Sequence, residues 1–180
     1  LASLADLPQI VASDRAHAQE HSLEVHLPFL QRLLGQFTLV PLAVGHAAPK
    51  EVAEVLDRLW GGPETLIVVS SDLSHYMSYA QARAVDRLTA QGIVALDTNF
   101  DPYEACGARA LNGALLAARR HGLQAELLDL RNSGDTAGDR SRVVGYAALA
   151  LSPARAACAE DDDEAALGAA LLTRARNAIR

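Results

Sequence analysis

The sequence predicts an α/β domain, a layered sheet with helices on its faces, and three observations carry that reading. Short apolar runs alternate with amphipathic helical stretches along the chain. Half of the 180 residues are hydrophobic, which is ample for a true core at this length. One run, Thr65–Ser71 (TLIVVSS), is almost wholly apolar, as a strand covered on both faces must be.

Taken in order, Glu20–Leu34 carries Leu23, Leu27, Leu30 and Leu34 at helical spacing, a stripe that Pro28 is expected to bend. Phe37–Val44 (FTLVPLAV) reads as a strand that Pro41 pushes toward an edge or a bulge. Lys50–Trp60 is helical and stops at Gly61-Gly62-Pro63. After the Thr65–Ser71 strand, Tyr79–Leu96 forms a long amphipathic helix. Asp101-Pro102 opens a turn, and Gly107–His121 is an alanine-rich helix closed by Gly122. Gln124–Leu130 and Arg142–Leu151 supply two more strands.

The composition narrows the function classes. A formal net charge of -6 without a basic cluster argues against nucleic acid, whose phosphates need a surplus of Lys and Arg. No apolar run approaches the roughly 20 residues that cross a bilayer. Two widely separated cysteines, Cys106 and Cys158, make no disulfide framework, so a cytoplasmic location is expected. The domain is expected to span 1–152, followed by an acidic linker over 153–164 that includes the Glu160–Glu164 run. Residues 165–180 read as a fresh amphipathic helix, the expected start of a second domain. The chain opens on Leu1 in the middle of a pattern and is expected to be part of a longer protein.

Four clusters hold residue types that a core or a plain surface does not require. His21 and Glu24 in Glu20-His21-Ser22-x-Glu24 fall on neighbouring positions of one helix face. They read as base and orienter or as metal ligands, or else as acidic residues at a helix amino end. Ser70-Ser71-Asp72-x-x-His75 follows the apolar strand, and ligands of open α/β sheets bind beyond the carboxyl ends of strands. There Asp72 can fix the tautomer of His75; the competing reading is a turn with a surface histidine. Cys106-Gly107 opens a helix, where the dipole favours the thiolate that binds metal or attacks; a small buried hydrophobe is the alternative. Cys158, beside the acidic run, has no such setting. Asn132-Ser133-Gly134-Asp135-x-x-Gly138-Asp139-Arg140-Ser141 is long for a hairpin and rich in donors and acceptors, suiting either a pocket rim or a solvated loop. His17-x-x-Glu20-His21 also matches the H-x-x-E-H string of one zinc-peptidase class, whose chemistry needs both histidines on one helix and a third ligand elsewhere.

In order along the chain, these clusters resemble the Memo family. The resemblance rests on His21-Ser22-Leu23-Glu24-x-His26-Leu27-Pro28-Phe29-Leu30, Val69-Ser70-Ser71-Asp72-Leu73-Ser74-His75, Ala105-Cys106-Gly107, Asn132-Ser133-Gly134-Asp135 and Val143-Val144-Gly145-Tyr146-Ala147. It is nearest to the bacterial branch, AmmeMemoRadiSam system protein B, and covers about Ala18 to Leu151. The segment from Ala165 (AALLTRARNAIR) is similar to the opening of AmmeMemoRadiSam system protein A.

The resemblance implies a partial domain similar to the class III extradiol dioxygenases, which use non-haem iron. It implies a metal, iron or copper, with Cys106 as a ligand and His21, Asp72 and His75 as acid–base groups around it. Glu24, Asn132, Ser133 and Asp135 are expected to contact substrate. The family's two histidine ligands lie in P-H-A-G-Y and G-P-S-H motifs that this sequence lacks. Such a site needs about three protein ligands, so metal is expected in the intact parent and none in this stretch alone. A radical-SAM protein and AmmeMemoRadiSam protein A are the implied partners, with a small molecule or peptide in the pocket. A partner-binding module without catalysis is the main alternative, and a zinc hydrolase built on His17, Glu20 and His21 is a third.

Overall fold

The computed structural model describes residues 2–154. Their contacts divide into two units, one formed by 2–18 with 42–154 and one containing 19–41. The expected linker from 155 on, Cys158 and the helix expected after 164 lie outside the described residues, while Pro153 belongs to the last strand.

The first unit holds a three-stranded sheet of β1 (His75–Met77), β2 (Leu123–Asn132) and β3 (Val143–Pro153). Its order is β1-β3-β2, and β3 pairs antiparallel with both neighbours. The β2–β3 ladder runs from Leu123 opposite Pro153 to Asn132 opposite Gly145. Along β3, Val143, Gly145, Ala147 and Leu149 share one face by strand alternation, and Tyr146 and Ala148 share the other.

Four helices belong to this unit: α1 (Asp14–His17), α3 (Pro49–Leu59), α4 (Tyr79–Val94) and α5 (Ala108–Arg120). The sequence places the starts of the last three to within a residue, and α3 and α4 carry residues that suit a first turn. Pro49 needs no amide partner there, and Gln81 reaches back to the Ser78 amide. Helices α4 and α5 close over one face of the sheet around Leu73, Ile93, Ala105, Ala108 and Leu115, joined by Ala147 and Leu149. Helix α3 packs on α5 through Val52, Ala53, Leu56 and Ala117. Leu4 and Leu7 cover the far side of α3 at Val55.

The strands expected at Phe37–Val44 and Thr65–Ser71 are not formed. Ile67 does pack against the α3–α5 cluster, but Leu66, Val68 and Val69 are exposed. A strand exists only through its neighbour's hydrogen bonds, and ladder pairing to β3 begins downstream, where Leu73 N donates to Gly145 O at 2.9 Å. The sheet is therefore smaller than expected, and the double coverage assigned to Thr65–Ser71 is absent among the described residues.

In the second unit the helix expected over Glu20–Leu34 shortens to α2 (Leu27–Leu34), with Pro28 in its first turn. Proline is tolerated there and breaks a helix interior, so the helix starts at the proline instead of bending around it.

Candidate metal centre

The segment that leaves Ser70-Ser71 alternates between anchor and offer. Leu73 and Ser74 are buried, while Asp72 and His75 on either side remain half-exposed. On the facing segment Ala105 is buried and Cys106 is exposed, so the small-hydrophobe reading of this cysteine does not hold. Two reciprocal bonds tie the segments together. Cys106 N donates to Asp72 O at 3.1 Å, and Asp72 N donates to Cys106 Sγ at 3.2 Å. Ser71 reinforces the join, its Oγ accepting from Gly107 N at 2.9 Å and donating to Asp72 O at 2.7 Å. Gly107 is what lets them close: a Cβ there would stand 2.7 Å from Ser70 O and 2.9 Å from Ser71 Cβ.

As a result, ligand atoms of Asp72, His75 and Cys106 all lie within 4.8 Å of one another. His75 Nε2 and Asp72 Oδ2 are 3.6 Å apart. That is too long for a hydrogen bond, which holds such atoms at roughly 2.7–3.2 Å. It matches the edge of a coordination tetrahedron, roughly 3.3–3.8 Å for metal–ligand bonds of 2.0–2.3 Å. A carboxylate, an imidazole and a thiolate are together a donor set for zinc, iron or copper. The three residues fit a transition metal in donor type, and a separation of up to 4.8 Å would have to draw in by about 1 Å to reach that edge.

Two tyrosines border the group, neither of which the sequence reading chose. The phenol of Tyr146 is held above its ordinary range, first by partial burial and then by the Asp72 carboxylate, so it stays a neutral donor at physiological pH. Strand alternation in Val143-Val144-Gly145-Tyr146 was the available signal, since it sets Tyr146 opposite the face that Gly145 buries. Tyr76, between His75 and Met77, has φ +60° and meets the His75 ring edge-on at 5.7 Å. Nothing in the sequence marks that backbone.

The Asn132–Asp135 cluster builds a turn in the same unit. Asn132 is buried and its Oδ1 accepts from Gly134 N at 3.0 Å; Ser133 Oγ accepts from Val144 N at 3.1 Å. Asp135 is exposed and accepts from Tyr79 OH at 2.6 Å and from Asn132 N at 3.0 Å. Those bonds, the tyrosine's first, hold its carboxyl below the usual carboxylate range. Asp135 also lines a polar cavity of about 360 Å³ with Tyr79, Arg83, Asp129, Leu130 and Arg131.

His21 and Glu24 belong to the second unit, where His21 Nδ1 bonds Glu24 Oε1 and both side chains are exposed. That bond holds the Glu24 carboxyl below its usual range. The pairing expected from their spacing is present, although α2 starts only after them. The H-x-x-E-H string lacks its helix, because α1 ends at His17 and residues 18–26 form no helix. The zinc-hydrolase reading loses its geometric basis there.

A small antiparallel sheet, helices closing one face and a His/Asp/Cys group at the helix and strand ends define a mixed α/β protein with a candidate metal centre. The chain belongs to the Memo-like protein family, whose model matches residues 2–150. A MEMO1 family protein of Archaeoglobus fulgidus is 34% identical over 158 residues, 79% of this chain and 60% of the relative. One from Methanopyrus kandleri is 38% identical over 154 residues, 74% of this chain and 52% of the relative. One from Sulfolobus acidocaldarius is 35% identical over 157 residues, 79% and 55% of the two chains. The chain thus spans little more than half the length of these curated relatives. Among the described residues no helix is long and apolar enough to cross a membrane.

Proposed function

We propose that this chain carries the thiolate-bearing part of a metal centre, with Asp72, His75 and Cys106 holding one iron or copper ion. The observation that carries this reading is the convergence of the three ligand atoms within 4.8 Å. When bound, the metal would supply Lewis-acid or redox chemistry at the carboxyl end of the Ser70-Ser71 segment. Cys106 is oriented for it by the Asp72 amide, and Tyr146 presents a protonated phenol beside Asp72. The assignment departs from the sequence reading in two respects: Asp72 and His75 join Cys106 as ligands instead of serving only as acid–base groups, and this stretch itself then holds the metal expected only in the intact parent.

The likeness of the four motifs to AmmeMemoRadiSam system protein B supports a finer reading. In it, the whole protein is a cytoplasmic, dioxygenase-like redox protein that works beside a radical-SAM protein and AmmeMemoRadiSam protein A. His21 would then serve as its acid or base, and Glu24, Asn132, Ser133 and Asp135 as substrate contacts. The polar cavity at Asp135 favours a second use, a module that binds a peptide or small molecule.

Metal content separates the two. Purified protein loaded anaerobically with Fe(II) or Cu(I) and desalted is expected to retain about one equivalent, which Cys106→Ser and His75→Ala each reduce at least tenfold. Retention unchanged in both variants would sink the metal reading and leave the binding module. Zinc retained in preference to iron and copper would redirect it to a zinc site.

A further inference from the structure

Helix α4 buries a carboxylate that neither packing nor helix formation requires. Asp86 is 2% exposed in the middle of the helix, where an apolar residue would serve the core at lower cost. Of its two oxygens, only Oδ1 has a partner among the described residues, accepting from Ser74 N at 2.9 Å. Ser74 is itself fully buried and stands between Asp72 and His75. The same short stretch is held from the other side by β3, where Gly145 O accepts from Leu73 N and Gly145 N donates to Ser74 O, both at 2.9 Å. The strand lies directly on the carboxylate: a Cβ at Gly145 would stand 2.1 Å from Asp86 Oδ2. Three hydrogen bonds thus converge on the two residues that separate Asp72 from His75. Cys106 is joined to the same stretch through its two bonds with Asp72.

We propose that Asp86 is the positioning residue of the Asp72, His75 and Cys106 group, fixing through the Ser74 amide the turn that sets Asp72 and His75 at their spacing. The inference rests on the metal-centre reading. Without the bond, the Ser74 amide is buried and unpaired, and the turn relieves that cost by shifting toward solvent. The ligand atoms then lose their common focus while the β2–β3 ladder, which Asp86 does not bond, stays paired. Asparagine offers an acceptor oxygen at the same place and is expected to restore the tether.

Two measurements on one set of variants test this. Co(II) serves as the probe, read by thiolate-to-cobalt absorption, and amide hydrogen exchange compares residues 71–77 with the β2–β3 ladder. Asp86→Ala is expected to weaken Co(II) binding by about tenfold or more, the usual effect of losing a group that orients a ligand. Exchange should quicken over 71–77 and not in the ladder, and Asp86→Asn should restore both. Gly145→Ala, which displaces the carboxylate without removing it, is expected to reproduce the alanine phenotype and stands in if Asp86→Ala does not fold. The proposal is overturned if folded Asp86→Ala binds Co(II) like the wild type, if exchange rises equally in the ladder, or if Asp86→Asn falls as far as Asp86→Ala. A wild type that binds no Co(II) removes the metal reading instead, and the confinement of faster exchange to 71–77 then decides whether Asp86 tethers the turn.

Discussion

Tyr76 adopts a conformation that most side chains avoid, next to a histidine of the candidate centre. Its φ of +60° places Cβ against its own backbone, at a cost of roughly 1–2 kcal/mol that glycine escapes. Its ring compensates in part, meeting His75 edge-on and lying 5.0 Å from the Arg142 guanidinium. Replacing the ring by alanine and by glycine separates the two effects. Tyr76→Gly should be more stable than Tyr76→Ala by about 1 kcal/mol in urea unfolding, the reverse of their order at an ordinary strand position. Equal stabilities would mean that the backbone at Tyr76 is not left-handed in solution. A second residue responds to acid. The folded Asp135 carboxyl titrates below its unfolded value of about 3.9, so the Tyr79 and Asn132 bonds contribute fully above that value and are lost as pH falls through the folded one. Between about pH 6 and about pH 3 the urea midpoint of the wild type should therefore fall further than that of Asp135→Asn. The Asn-Ser-Gly-Asp string announced a turn, but its bond to Tyr79, 56 residues away, could not be read from it.

Helices and strands differed in how openly the sequence declared them, and hydrogen-bond accounting explains why. A helix satisfies its amides within a few residues, so amphipathic pattern and the Gly61-Gly62-Pro63 and Gly122 stops were enough to place α3, α4 and α5. A strand depends on a partner that its own residues do not specify. Leu123–Asn132 and Val143–Pro153 found each other, whereas Phe37–Val44 and Thr65–Ser71 form no strand among the described residues. The candidate site was legible from residue type and spacing in Ser70-Ser71-Asp72-x-x-His75 and Cys106-Gly107, although the Thr65–Ser71 strand expected to present Asp72 does not form. Its second tier was not, since Asp86 reads as one more polar position in an amphipathic helix. At the α3–α5 contact a single carboxylate serves two partners. Asp57 accepts from Arg120 at 2.5 Å and from His121 at 2.9 Å, while Trp60 stacks on the His121 ring at 3.7 Å. Asp57→Ala is expected to cost about 1 kcal/mol of stability, partly exposed charged bonds being modest in net worth. A loss below a few tenths of a kcal/mol would show that apolar packing between Ala53, Leu56 and Ala117 holds the helices without it.

Across the whole molecule the exposed apolar residues of the Thr65–Ser71 segment shape how the chain behaves in solution. Thr65–Ser71 faces two ways: Ile67 is packed against the α3–α5 cluster, while Leu66 is 62% and Val68 44% exposed. Leu66, Val68 and Val69 are exposed and lie in no strand ladder among the described residues, an apolar run open to an approaching strand, and no charged side chain between Thr65 and Ser71 guards it. A net charge of -6 opposes association only weakly at physiological salt, where the Debye length of about 8 Å screens charges elsewhere on the surface. Attraction at the segment should therefore prevail. The chain is expected to self-associate as its concentration rises from about 1 to about 100 µM, read by sedimentation velocity. Combining Leu66→Lys with Val68→Lys should hold it monomeric across that range without loss of helical signal, because neither side chain supports the core around Ile67. If the lysines leave association unchanged, contact lies elsewhere, and Val11, exposed at 79% in the same unit, is the next position to charge.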